Sequence, residues 1–428
     1  MTTAIAWRYS GLALQLLIIV LIARTVTIEV AGEYFSLFGL VTVIYIMSGL
    51  GIPDALVKSI PRLSASRADA RSVAARGAIL STAINLGLTT AIALGLMFSG
   101  QSIEISLLLA VWTFAYCQVF LVSQTLIALS ARGVGLFGAY SAINFGYLLT
   151  LVPYLILNSQ HTLPGMITWA CVGSLLALAT MVLLAMRLNS RQLRRDFDTA
   201  GRLSASRRQA RELIGEGLPM AISRLLQGSL PWVPVWFLVW QGDASSAAVY
   251  AAASRLAVAV TAILGSIRFG SRPDIVDRVR CEDWTAVERM SRQASYASGL
   301  GALLATIVIA LAGSWLVPLV LGTEYASATT VLLILMVAII AEGFGGLSDE
   351  ILKMTGRTWV VLATLAVSVL TQSAMLVGVA QFGVVAASWT TVMAFAVQYI
   401  LQVVWLRAYS PISIWPGLFG RSNRPWRV

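Results

Sequence analysis

Two arginines stand where a charge is costly. Residues 249–265 read VYAAASRLAVAVTAILG, and Arg255 is the one residue of the seventeen that is out of place in hydrocarbon. Arg224 is set in EGLPMAISRLL (216–226) in the same way. At ~1.5 Å per helical residue, Arg224 lies about 16 Å in from Leu213 and Arg255 about 14 Å in from Ser246. In a hydrocarbon core of about 30 Å, both approach the midplane, from opposite sides. Such charges are expensive and mark a partner or a task. Arginine suits phosphate, because its planar fork binds bidentately and keeps its proton. The pair could therefore serve a diphosphate in a water-filled cavity. Alternatively, each guanidinium pairs with an acid; Glu342, in VAIIAEGFGG, is a candidate, whereas Glu216 is two helical turns from Arg224 and too far along the axis.

The acids form a second group. Asp54, Glu216, Asp349 and Glu350 fall near helix ends, where salt bridges and caps are the ordinary roles. Glu342 is deeper and is the better candidate for proton or ion coupling, with Asp54, the one embedded acid of the N-terminal half, as the second. Pro219, Pro231 and Pro234 interrupt GEGLPMAISRLLQGSLPWVPVW. Proline kinks are tolerated in membrane helices, so the three read either as passive or as a hinge.

Other chemistry finds no residues to carry it. No Gly-rich loop leads into Lys-Ser/Thr, which speaks against ATP-driven pumping. The single histidine, His161, sits in a short polar loop, and Cys117, Cys171 and Cys281 have no paired spacing. Neither a disulfide framework nor a metal site is expected. No catalytic constellation and no cofactor are expected, and an enzyme is disfavoured.

These residues have to be held by membrane helices. The chain has 428 residues, 58% hydrophobic and only 11% charged, a profile whose surface water could not wet. Spans are expected at roughly 7–23, 35–55, 78–98, 105–129, 135–157, 167–186, 213–239, 246–267, 294–321, 328–348, 358–380 and 382–406. The first is followed by Arg-Thr-Val-Thr rather than by small residues, and reads as a retained span. Of the 30 basic residues, 27 fall in one alternating set of loops and the termini, and the other set holds only Arg24. The positive-inside rule then puts both termini in the cytoplasm. The net charge of +11 is accounted for by topology and by contact with anionic headgroups, and nucleic acid is not an expected partner. The expected fold is an all-α polytopic membrane protein of about twelve spans. It divides into an N-terminal six-helix lobe (1–186), a basic cytoplasmic linker (187–212), and a C-terminal six-helix lobe with a cytoplasmic tail (213–428). A weak internal echo, AGEYFSLFGL (31–40) against AAVYAAASRL (247–256), points to two related halves.

The segment ARTVTIEVAGEYFSLFGLVTVIYIMSGLGIPDALVKSIPR (23–62), with EGLPMAISRLL, AAVYAAASRL and LGTEYASATTVLLIL (321–335), resembles the polysaccharide transporter family. That family includes the Wzx-type O-antigen and exopolysaccharide flippases of the multidrug/oligosaccharidyl-lipid/polysaccharide (MOP) superfamily. The resemblance runs over essentially the whole chain. It implies two six-helix lobes around a central lumen and alternating access. The implied activity is translocation of an undecaprenyl-diphosphate-linked oligosaccharide to the outer leaflet of the bacterial inner membrane. It also implies a cationic lumen, to which Arg224 and Arg255, with Arg24 at the mouth of the first helix, would contribute. A glycan polymerase is an implied partner. The N-terminal half departs from a symmetric clamp, having no midplane basic residue. Two other readings stand beside this one: a drug or organic-cation antiporter of the same superfamily, and a non-transporting partner of a glycan synthase.

Overall fold

A computed structural model of the chain describes residues 2–63, 67–98, 100–189, 207–281, 283–345 and 347–409. Most of the expected linker and the tail beyond 409 lie outside them. The described chain is all α-helical. Ten of its helices are long and apolar enough to cross a membrane, or eleven if one bent pair is counted as a single span. The chain divides into two compact units, Met1–Gly228 and Ser229–Val428.

The first unit holds α1 (Thr2–Thr25), α2 (Ile28–Ile44), α3 (Ile52–Leu63), α4 (Arg67–Phe98), α5 (Ile103–Ala128), α6 (Arg132–Tyr140), α7 (Ala142–Leu157), α8 (Leu163–Asn189) and nearly all of α9 (Arg207–Ser229). Helix α5 is its centre, packing on α3, α4, α6 and α8. The second unit holds α10 (Val233–Trp240), α11 (Ala244–Arg280), α12 (Trp284–Leu321), α13 (Ala328–Gly345), α14 (Ser348–Met354), α15 (Thr358–Val379) and α16 (Gly383–Tyr409). There α13 packs on α11, α12 and α16.

The helices are apolar outside and partly polar inside, as lipid demands. Leu94, Leu149, Leu304 and Leu311 are exposed, whereas Ser106, Thr113, Ser174, Ser298, Ser368 and Gln402 are buried. Lipid tails match leucine in polarity, so close backbone approach and hydrogen bonds hold such helices together. Helices α7 and α8 touch through Gly146 and Gly173, where a Cβ on Gly146 would lie 2.1 Å from the Gly173 carbonyl oxygen. The two tyrosines of the internal echo, Tyr34 and Tyr250, are both fully buried, each in its own unit.

Three expected spans are interrupted. The span expected at 35–55 unwinds over Ser48–Gly51 before α3 begins, with Gly49, Leu50 and Gly51 at positive φ (55°, 51° and 80°). The span expected at 135–157 is α6 and α7, bent by 46° at Ser141. The span expected at 213–239 is two helices, α9 and α10, parted at Leu230–Trp232. Pro231 lies within that last break and Pro234 in the first turn of α10, and each lacks the N–H that a continuous helix needs. Pro219, by contrast, sits inside α9 without ending it. At the start of α12, Asp283 accepts the Ala286 N–H. That backbone bond, with the Thr285 hydroxyl and Arg278, holds its carboxyl below the usual carboxylate range.

Candidate functional site

In the first unit the site is built on the Ser48–Gly51 break. An unwound turn at membrane depth leaves backbone groups that need partners. Asn85 on α4 supplies them: its Oδ1 accepts the Gly49 N–H at 2.7 Å, and its Nδ2 donates to Ser48 Oγ at 3.1 Å. The Ser48 hydroxyl in turn donates to the Cys117 carbonyl on α5. This clamp fixes a fresh helix start at Ile52, with Pro53 and Asp54 in the first turn of α3. Proline is pre-organised for that position, and a carboxylate is favoured there by the helix dipole.

Helix α9 then comes against α3. A Cβ on Gly51 would stand 2.2 Å from the Gly217 carbonyl oxygen, so the two backbones are in contact. Leu213 joins Ile52, Ala55, Leu56 and Ile60 in one apolar cluster. Two turns beyond Gly217, Arg224 Nη1 donates to Asp54 Oδ2 at 2.5 Å. The acid facing Arg224 is therefore Asp54, whereas the sequence offered Glu342; spacing along one chain could not bring together residues 170 apart. Asp54 is largely buried while the Arg224 side chain is 36% exposed, so the guanidinium keeps an open side. Its Cζ lies 5.1 Å from the ring centre of Phe120 on α5.

In the second unit Arg255 is half-buried on α11, its Cζ 3.9 Å from the ring centre of Trp232. That is cation–π distance, and the indole is the best of the aromatic faces for it. Trp232 is held by the break between α9 and α10, beside a buried polar network. In a continuous helix the Leu230 carbonyl would accept the N–H of residue 234, but residue 234 is proline. Gln372 on α15 replaces it, its Nε2 donating to the Leu230 oxygen at 3.0 Å and to Thr391 Oγ1 at 2.9 Å. Tyr250, one turn before Arg255, shares a 2.7 Å hydrogen bond with the same threonine.

The remaining sequence candidates are placed as follows. Glu342 is buried on α13. Arg24 is exposed in the last turn of α1, where its charge suits the helix dipole. Asp349 pairs with Lys353 one turn on, at 2.6 Å. No cluster of His, Cys, Asp and Glu able to hold a metal occurs among the described residues. Sequence reading missed the Asn85 clamp and the Gln372 bridge. Gly-Leu-Gly-Ile-Pro (49–53) and Pro-Trp-Val-Pro (231–234) were the available signals, each marking a carbonyl or N–H that needs an outside partner.

No family model matches the chain, and no curated protein matches it. Solved structures do, over nearly the full length. The lipid II flippase MurJ in an inward closed conformation aligns with a TM-score of 0.70 and 10% identity, over 95% of this chain and 87% of that one. An inward-facing multidrug resistance MATE family transporter of the MOP superfamily aligns with a TM-score of 0.64 and 16% identity, over 93% and 94%. A variant of the Vibrio cholerae MATE transporter VcmN aligns with a TM-score of 0.60 and 18% identity, over 95% of each chain. The chain thus has the fold of MOP-superfamily transporters, and none of these three neighbours is an enzyme.

Proposed function

We propose that this chain, built on the MOP transporter fold, is a flippase for an undecaprenyl-diphosphate-linked oligosaccharide such as an O-antigen or exopolysaccharide repeat unit. In this reading it works by alternating access in the bacterial inner membrane, with both termini cytoplasmic. The observation that carries the proposal is one guanidinium held against an aromatic face in each unit: Arg224 of α9 beside Phe120, and Arg255 of α11 over Trp232. A diphosphate is the substrate group that uses such donors best, through bidentate, charge-assisted hydrogen bonds. Aromatic faces around each guanidinium lower its exposure to water and so strengthen its hold on an anion. Arg24 adds positive charge at the end of α1. Glu342 and Asp54 are the groups proposed for coupling, and a glycan polymerase is the proposed downstream partner.

A second reading, antiport of an organic cation, has one observation behind it: Asp54 is a carboxylate inside a span. Asp54 faces Arg224, however, and is already neutralised by it. The test is transport in proteoliposomes holding the full chain, offered in parallel an undecaprenyl-diphosphate-linked oligosaccharide and a rhodamine cation. The proposal requires faster flipping of the lipid than in protein-free vesicles and no accumulation of the dye. Dye accumulation without lipid flipping would replace it with the antiporter reading.

A further inference from the structure

The first unit contains a partly open recess that the arginines do not account for. Much of the about 330 Å³ it spans is open mouth, so it can take at most one ring and not a chain of them. Its walls include Tyr45, Tyr116, Phe120, Tyr140 and Asn144, with small and aliphatic residues between them. Tyr45 stands 4.7 Å from Tyr116 and 5.6 Å from Phe120, centre to centre, with Tyr116 tilted by 37° and Phe120 nearly edge-on at 69°, so the three rings form one angled aromatic wall.

Both interrupted spans among α1–α8 meet here. Tyr45 stands three residues before the unwound Ser48–Gly51 turn, and Tyr140 and Asn144 flank the 46° bend at Ser141. The bend is held by the Ser141 hydroxyl donating to the Trp7 carbonyl and by Asn144 Nδ2 donating to the Gly11 carbonyl on α1. Irregular backbone at membrane depth is tolerated where it is buried or lines a cavity. In transporters, interrupted helices mark binding sites.

The wall chemistry selects a ligand class. Aromatic faces beside phenolic hydroxyls and an amide suit a ring with apolar C–H faces and hydroxyls at its rim. An organic cation is disfavoured, because the Phe120 face already carries the Arg224 guanidinium. Phe120 also joins the recess to that arginine, as a sugar joins its diphosphate. We propose that this recess is a subsite for a single sugar ring of the carried lipid-linked saccharide. The proposal rests on the flippase reading and deepens it.

The experiment uses full-length protein in proteoliposomes and two probes: undecaprenyl diphosphate bearing one N-acetylglucosamine, and the same lipid without sugar. The readout is the ratio of the two flipping rates in wild type, Tyr116→Ala and Tyr116→Phe. The subsite predicts a wild-type preference for the sugar-bearing lipid, a ratio at least tenfold lower in Tyr116→Ala, and a ratio within threefold of wild type in Tyr116→Phe. Equal loss of both rates in Tyr116→Ala would make the recess structural and overturn the subsite while leaving the flippase intact. An unchanged ratio would do the same. Wild type moving neither lipid would overturn the subsite, and the flippase reading with it if an oligosaccharide-bearing lipid is not moved either. Uptake of a rhodamine cation that is lost in Tyr116→Ala would assign the recess to a different ligand.

Discussion

At the scale of single residues, the Arg224–Asp54 pair decides how the first guanidinium works. It is neither a lone charge in lipid nor a sealed ion pair, since the aspartate is buried and the arginine is partly open. Removing the arginine strands a buried carboxylate, which costs more than the pair itself contributes. Arg224→Ala should therefore lower the melting temperature of the purified protein, and Arg224→Ala with Asp54→Ala should recover part of the loss. The coupling between contacting residues is expected at about 0.5–3 kcal/mol. Strict additivity in detergent unfolding would mean that the two side chains do not meet. The sequence singled out Arg224, because its apolar flanks are local. It could not show Asp54 opposite, because that contact depends on how α9 lies against α3.

At the scale of elements, the breaks are what place the charges, and each break has a clamp that can be tested. Gly215 and Gly217 lie two residues apart on α9, yet a Cβ on Gly215 meets nothing within 4 Å while one on Gly217 would stand 2.6 Å from the Gly51 carbonyl. Gly→Ala inside a helix is ordinarily favourable by about 1 kcal/mol. Gly215→Ala should hold or raise thermal stability, and Gly217→Ala should lower it. Equal effects would mean that α9 does not rest on the break. In the second unit, Gln372→Leu leaves the buried Leu230 carbonyl without its donor. The cost should be about 1–3 kcal/mol, read as a lower melting temperature. Unchanged stability would mean that the proline break needs no bridge. The prolines and glycines were legible as interruptions. Asn85 and Gln372, which satisfy the freed backbone, were not, since any buried amide at the right height could do so.

At the scale of the whole molecule, the all-helical, multi-span class followed from composition, because a bilayer sets a length that apolar runs either meet or miss. Orientation follows from a different signal, the placement of arginines, and makes its own prediction. In a chain with its native cysteines replaced, a cysteine at Gln241, exposed between α10 and α11, should react with membrane-impermeant thiol reagents in intact cells. One at Ser204, in the basic linker, should react only after the membrane is opened. The reverse pattern would invert the topology and move Arg24 to the other side.

The most direct measurement is the flipping rate of an undecaprenyl-diphosphate-linked oligosaccharide by equal amounts of folded wild-type, Arg255→Ala and Arg255→Lys protein in proteoliposomes. If Arg255 holds the diphosphate in transit, wild type accelerates flipping. Arg255→Ala then loses at least about tenfold, or ~1.4 kcal/mol of barrier, and Arg255→Lys keeps an intermediate rate because a point charge replaces a fork. Wild-type rates in Arg255→Ala, or a wild-type protein no faster than empty vesicles, would contradict the account.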